Sequence, residues 1–323
     1  MEKNKIVPHL SLFIIGMPRS GTKLLRELLN NHSDIFIPKV ETLFLPTLLK
    51  KYGNIGILSE KELSSVINEI KNSLFFFYYS ATNTFNFTRL EKKRLTIHDF
   101  ISLLFKELAI QQNENSRILG DKSPNNIFDL DLLSKQFPNA KYIHLVRDPR
   151  DYALSVKKAW NKNIYRSSYR WSLGMDSVIK MKPSLSNNLL EISYEQLIST
   201  PKVSLMNICE FLEIDFEEGM AQLTESVEKI GDAKSTNISS SNFSKYKQFF
   251  KSHEIKKIEA LTINHMKKYG YTPVFNNLTR TTPSIFQLTL WKASDSFNLI
   301  RFNIKEHGLR TGFLKIIKAR RIS

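Results

Sequence analysis

One cysteine, Cys209, occurs in 323 residues, which excludes a disulfide scaffold and a cysteine-built zinc cluster. It lies inside the apolar pattern SLMNICEFL, where it reads as a buried small hydrophobe. No apolar run approaches the roughly 20 residues needed to span a bilayer. The stretch LSLFIIG is too short for the apolar region of a secretory leader, and MPRSG offers no small-residue cleavage site. It reads as a first strand, and the expected address is the cytoplasm. Acidic residues are also scarce: 31 Asp plus Glu stand against 47 Lys plus Arg, a net charge of +16. That surplus favours an anionic partner, whether nucleotide, nucleic acid, sulfated or phosphorylated substrate, or acidic membrane. A lysine-rich proteome produces the same surplus with no partner, so charge alone chooses nothing.

What is present suffices for a sizeable core: 41% of the residues are apolar, with 22 Phe and 11 Tyr. The length fits one large α/β domain with an appendage, or two modest domains. Strand-like runs at Leu10–Ile15, Arg117–Leu119, Tyr142–Val146 and Leu189–Ile192 have helical patterns between them, which predicts a mainly parallel central sheet flanked by helices. Polar stretches follow each run at once: GMPRSGT, GDKSP, RDPRD and SYEQL. Ligands of open parallel sheets bind beyond the carboxyl ends of strands, so these four loops can converge on one site.

The first helix, about Thr22 to Asn31, places Leu24, Leu25, Leu28 and Leu29 on one face and Arg26 and Glu27 outside. Asp148-Pro149 reads as an N-cap with proline at the first helical position, opening a helix to about Lys162, and Thr200-Pro201 repeats the signature. Longer helices are predicted over 61–79, 97–112, 164–181 and 253–268, the last ending at Gly270. The aperiodic GDAKSTNISSSNFSKYK, residues 231–247, reads as a long loop of the kind that serves as a lid. Residues 5–275 are expected to form the domain and 276–323 a basic C-terminal extension. Within 301–323 seven Lys and Arg face one acid, Glu306. FLKIIKARR there reads either as a helix packed on the domain or as a basic amphipathic helix lying on an acidic membrane.

The stretch FIIGMPRSGTKLLRELL joins an apolar strand, a compact loop and an amphipathic helix, an arrangement that holds anions. Backbone N–H groups at Gly21, Thr22 and Lys23 would point from a helix N-terminus, Ser20 and Thr22 offer hydroxyls, and Arg19 adds a planar fork suited to a tetrahedral oxyanion. A nucleotide-kinase P-loop places Lys, then Ser or Thr, after its last glycine; here Thr22 comes before Lys23. A second anion loop is offered by LVRDPRDYALS, where Arg147 ends a strand and Ser155 lies two turns into the next helix.

PRSGTKLL from Pro18, followed by VRDPRDYALS ending at Ser155, resembles the signature pair of the sulfotransferases that use 3′-phosphoadenosine 5′-phosphosulfate (PAPS). RELLNNHSDI, VETLFLP, GDKSP, FPNAKYIHLVRD, YEQLISTP with FLEI, and a late KYGY extend the likeness from about Leu12 to Tyr271, nearest to the bacterial and tyrosylprotein branch. The resemblance implies a P-loop-like three-layer α/β sandwich, with PAPS as co-substrate, PAP as product and no metal requirement. It implies a phosphosulfate cradle at Arg19, Ser20, Gly21 and Thr22, and a 3′-phosphate clamp at Arg147 and Ser155. Lys23 stands where the family has Ser or Thr, and acts there as a point charge or faces solvent. Lys122 of GDKSP matches a second lysine near the transferring group, while Ser235 and Lys245 resemble late nucleotide contacts. Glu41 of KVETLFLP matches the catalytic glutamate, one residue further from the arginine than in the family.

The implied reaction is in-line transfer to an acceptor hydroxyl, with Arg19 and Lys122 stabilising the leaving group and Glu41 as base. His98 and His144 are the rival bases, though each also fits a structural place in a helix or strand; His32 reads as the end of the first helix and Glu195 as a structural carboxylate. A carbohydrate or glycolipid hydroxyl is the first expectation for the acceptor, with no specific nucleic-acid partner. The expected membrane contact is peripheral, on the inner face through the tail. Two alternatives stay open: a P-loop kinase of a small metabolite, and a non-enzymatic protein that docks on polyanions or membrane.

Overall fold

The computed structural model describes residues 9–91, 94–112, 116–223, 226 and 237–321, with backbone alone at 302–303, 305–307 and 309–321. Its strands are Leu10–Gly16 (β1), Ile35–Phe36 (β2), Ile118–Lys122 (β3), Lys141–Val146 (β4) and Leu189–Ser193 (β5). They pair in parallel in the order β2-β3-β1-β4-β5. The central strand is apolar on both faces, as a strand covered on two sides must be: Leu12, Phe13, Ile14 and Ile15 are all fully buried. Phe13 and Ile15 join one apolar cluster and Leu12 and Ile14 another, so the sheet is the middle of three layers.

One outer layer holds Thr22–Asn30 (α1), Tyr194–Ser199 (α10) and Pro201–Leu212 (α11). Cys209 is buried there beside Met220, and burial pushes its thiol up to about 11. The other layer is built from Leu45–Tyr52 (α2), Glu60–Lys71 (α3), Leu74–Tyr79 (α4), Thr88–Glu91 (α5), Ile97–Gln111 (α6), Leu130–Gln136 (α7), Pro149–Trp160 (α8) and Ile164–Leu185 (α9). Tyr246–Phe249 (α12) and Ser252–Lys268 (α13) pack against α8, and Ile285–Arg321 (α14) contacts α8 and α9.

The predicted strands and longer helices are all present, with four adjustments. The third strand runs on to Lys122, because its Lys122 still pairs with Ile14 of β1. The predicted helix 61–79 divides at Ser73, whose hydroxyl donates to the Ile70 carbonyl and accepts from the Phe76 amide, ending one helix and capping the next. The helix from Asp148 stops at Trp160, where Asn161 turns left-handed at φ 50°. Arg26, expected outside, is only 1% exposed; its guanidinium bonds the Lys39 carbonyl and Glu27, holding the chain beyond β2 against α1.

The C-terminal helix docks through Asp295, which accepts from the Asn163 amide at 2.7 Å and from Arg166 Nη1 at 2.6 Å. Gly308, at φ 74°, interrupts the helix. The acidic-membrane contact expected of residues 301–323 is not supported: most side chains of that segment lie outside the described residues. No helix among the described residues is long and apolar enough to cross a membrane.

Behind the sheet ends, α13 is clamped to α8 by a buried ion network. Arg150 binds Asp148 at 2.6 Å and Glu259 at 2.6 Å, and its guanidinium lies 4.3 Å from the Tyr246 ring centre. Burial alone would lower the Arg150 pKa, but its bonds to Asp148 and Glu259 raise it. Glu259 also accepts the amides of Val274 and Phe275. Glu259→Ala would leave a buried guanidinium half-paired and two amides without acceptors, and is expected to cost about 3–5 kcal/mol in urea unfolding. A loss below about 1 kcal/mol would mean that water replaces the carboxylate.

Candidate active site

A cavity of about 530 Å³ opens at the carboxyl ends of β1 and β3 and along α8 and α9. It is lined by Arg19 and Gly21–Lys23, by Glu41, by Lys122 and by the facing sides of α8 and α9. The opening loop is tight. Ser20 N donates to the Met17 carbonyl at 3.0 Å, and Arg19 adopts φ 75°, a left-handed conformation uncommon outside glycine. Gly21 caps α1 at φ 91°, and a Cβ there would come within 2.4 Å of the Tyr194 ring. A glycine is therefore required twice over, by backbone conformation and by the approach of Tyr194.

The second anion loop meets the first. Because β1 and β4 are neighbours, Arg147 emerges beside the opening loop and its Nη1 donates to the Arg19 carbonyl at 2.9 Å. In return Arg19 Nε donates to Ser155 Oγ at 3.4 Å. Arg147 stacks 4.2 Å over Tyr194 and reaches the Asn242 carbonyl at 3.4 Å. Ser20, Arg147 and Ser155 adjoin the cavity through Arg19 without lining it. Ser20 Oγ and Arg147 Nε are buried with no hydrogen-bond partner among the described residues. Both remain available to a ligand, and with the loop amides the donor set fits a nucleotide with two separated anionic groups.

Each remaining charge of VRDPRD braces this corner. Asp148 caps α8 at the Arg150 amide, and its own amide is held by Glu195 at 3.0 Å. Burial raises the Glu195 pKa, against the pull of the Asp148 amide and of Tyr271, whose hydroxyl donates at 2.9 Å. Glu195 is thus structural, as expected. Asp151 accepts the Ser244 amide at 2.5 Å and the Tyr246 amide at 3.0 Å, fixing the end of the Ser/Asn-rich loop.

At the third corner Lys122, 4% exposed, donates to Glu41 at 2.7 Å. The two come from segments held together by Asp121, which accepts from Thr42 Oγ1, from Ser123 Oγ at 3.1 Å and from Asn126 Nδ2 at 2.8 Å. Ser123 Oγ also accepts the Thr42 amide at 2.9 Å. Full burial pushes the Asp121 carboxyl up to about 6, against those hydrogen bonds.

Of the residues singled out in the sequence, Arg19, Gly21, Thr22, Lys23, Glu41 and Lys122 share the cavity wall, with Ser20, Arg147 and Ser155 immediately behind. Lys245 lies between the Ser244 and Tyr246 amides on the α8 side and does not line the cavity; Ser235 lies outside the described residues. The rival bases are elsewhere. His98 bonds Gln136 at 2.6 Å, and His144, fully buried in β4, faces Glu191 at 3.3 Å. His32 bonds the Asp215 carbonyl just beyond α1. Asp121, Tyr194 and the cations Lys162, Arg166 and Arg170 were not assigned from sequence. Asp121 lies near the carboxyl end of β3 and Tyr194 opens α10 directly after β5, so both fall in the polar stretches GDKSP and SYEQL that follow the strand-like runs, which is the signal that could have found them; nothing marks the three cations.

A family model described as "Sulfotransferase family" matches residues 11–218. The chain belongs to the sulfotransferase family. The resemblance carried by PRSGTKLL and VRDPRDYALS is borne out at that level. Protein-tyrosine sulfotransferase 1 of Danio rerio is 26% identical over 238 residues, covering 71% of this chain and 59% of the relative. Protein-tyrosine sulfotransferase A of Caenorhabditis elegans is 26% identical over 218 residues, covering 64% and 50%. The chain thus spans a little over half the length of these curated relatives. The sulfotransferase domain from the Synechococcus PCC 7002 olefin synthase matches with a TM-score of 0.56 and 23% identity, covering 84% of this chain and 98% of that one. That likeness bears out the expected P-loop-like three-layer α/β fold.

Asp121 gives the corner a pH signature. The folded chain holds this proton more tightly than the unfolded chain, whose carboxyl has the ordinary value of 3.8, so stability from this group falls as pH rises from about 4 to about 6. In Asp121→Asn that falling component should vanish, read as a changed slope of unfolding free energy against pH across the window. Identical slopes in both proteins would show that Asp121 is not titrating there.

Proposed function

We propose that this chain transfers a sulfuryl group from PAPS to an acceptor hydroxyl, releasing PAP. The observation that carries the reading is the pairing of two anion loops through Arg147 and the Arg19 carbonyl, with unpartnered Ser20 Oγ and Arg147 Nε beside them. Bound PAPS would supply an activated sulfuryl group on a phosphate leaving group. The Gly21–Lys23 loop and Ser20 would hold the phosphosulfate end, with Lys23 adding a point charge; Arg147 and Ser155 would hold the 3′-phosphate. Arg19 and Lys122 concentrate positive charge where the leaving oxygen gains negative charge, a preorganised arrangement that favours the transition state. Glu41, oriented by Lys122 at 2.7 Å, would take the acceptor proton through the carboxylate oxygen that the lysine leaves accessible.

An ATP reading needs a carboxylate facing the phosphates through a metal. The carboxylate near the end of β3, Asp121, is instead committed to Thr42, Ser123 and Asn126. For the acceptor, the polar wall of Asn125, Lys162, Arg166 and Arg170 supports a hydroxyl on a polar compound, with carbohydrate or glycolipid as first candidate. The names of the Danio rerio and Caenorhabditis elegans relatives favour peptide tyrosine as the second.

PAP should raise the melting temperature where Mg²⁺-ATP at equal concentration does not, since a ligand at 100 times its Kd stabilises by about 2.7 kcal/mol; the reverse result would favour a kinase. Arg19→Ala should lower PAPS turnover by about 10²–10³-fold with an unchanged melting temperature. Glu41→Gln should lower turnover by about 10²–10⁴-fold while leaving PAP affinity within a factor of two. Normal turnover in either variant would remove that residue from the reaction.

A further inference from the structure

The cavity wall carries more positive charge than a two-anion donor explains. Arg19, Lys23 and Lys122 belong to the donor end, yet Lys162, Arg166 and Arg170 line the same cavity from the α8–α9 elbow. Only one carboxylate, Glu41, is among the lining residues, and Lys122 already holds it. Arg166 is matched by Asp295 at 2.6 Å. Lys162 and Arg170 reach no carboxylate among the described residues. Lys162 Nζ lies 4.8 Å from the Trp160 ring centre; Arg170 lies 4.5 Å from the Phe128 ring centre and donates to Asn125 at 3.0 Å. Burial lowers the Lys162 pKa; nearby Asp295 opposes this, while Arg166 and Arg170 push it further down.

The Arg147 end of the donor clamp is far from this charge. Arg147 precedes α8 and Lys162 follows it, so the two are separated by the length of a 12-residue helix, about 18 Å. The reacting end is much nearer. Arg19 Cζ is 5.8 Å and Lys162 Nζ 4.8 Å from the same Trp160 ring, which puts their charges within about 11 Å of each other. That limit leaves room for one six-membered ring with a substituent at each end.

Building on the sulfotransfer reading, we infer that the acceptor carries its own anion, a carboxylate, phosphate or sulfate, about one ring's length from the reacting hydroxyl, and that Lys162 and Arg170 receive it. An anion there relieves the repulsion among the cations, and Trp160 and Tyr152 supply flat walls for the ring between the two ends. An uncharged acceptor leaves the repulsion in place.

The probes are 4-hydroxyphenylacetate and its neutral isostere 4-hydroxyphenylacetamide, titrated calorimetrically into PAP-saturated protein, with inorganic phosphate as a third ligand. The acid should bind at least about 10-fold more tightly than the amide. The double variant Lys162→Gln/Arg170→Gln should bring that ratio within about 2-fold and abolish phosphate binding, with PAP affinity and melting temperature unchanged; Arg166 is left intact because Asp295 needs it. Phosphate binding without preference for the acid would place the anion free of a ring-borne hydroxyl and overturn the acceptor assignment. Equal binding of acid and amide, or no binding of the acid at millimolar concentration, overturns the inference. A fall in PAP affinity in the double variant also overturns it, by returning these cations to the donor. Failure of the wild-type protein to bind PAP at all would instead sink the sulfotransfer reading.

Discussion

A hydrogen bond from Arg147 Nη1 to the Arg19 carbonyl, 2.9 Å long, ties two strand-to-helix corners into one site. It exists because β1 and β4 are hydrogen-bonded neighbours in a parallel sheet, with Gly16 paired to Leu145 at their ends. A one-residue slip of either strand would reverse its faces and move its corner out of reach. The apolar runs on both faces of β1 fix that register, so the core sets the separation of the two corners. The guanidinium is then held from below by Tyr194, whose ring also fills the space that Gly21 leaves.

The distribution of acids follows a single rule around this site. Asp121, Asp148, Asp151, Glu195 and Glu259 are each at least mostly buried and accept donors from the chain itself. They brace the loops and are unavailable to offset the cations in the cavity. The overall surplus of +16 is therefore sharpened locally, and the lining carries Arg and Lys against one paired glutamate. Partial enclosure strengthens that field compared with the same charges on an open surface.

The fold and the two loops that meet after β1 and β4 were legible because both rest on short-range signals. An apolar run followed by PRSGT, and another followed by RDPRD, specify a strand, a turn and a capped helix within about ten residues. Cys209 was legible as core for the same reason. Arg26 was misplaced because helical periodicity assigns a residue to a face but does not see the Lys39 carbonyl arriving from beyond β2. Nothing in GDKSP marks a role for Asp121, since its partners Thr42 and Asn126 meet it only through the sheet and the turn after β3. The break at Ser73 was lost in a continuous apolar pattern that a single side-chain cap interrupts.

The acceptor end was illegible for a different reason. Lys162 lies in the α8–α9 elbow and Arg166 and Arg170 follow at four-residue intervals on α9, a spacing that any solvated basic helix face shows. What distinguishes them is tertiary: Asn161 turns the chain left-handed, Asn163 caps α9, and Asp295 arrives from more than a hundred residues away to hold Arg166 and the Asn163 amide. The loops that we assign to the donor are thus built into strand ends, where a shift of one residue disrupts the sheet. The cations that we assign to the acceptor lie on a helix surface and its elbow, where a side chain can change with little effect on the core. Two ends with such different structural constraints can diverge independently, so a shared donor motif carries little information about which hydroxyl a member of this fold modifies.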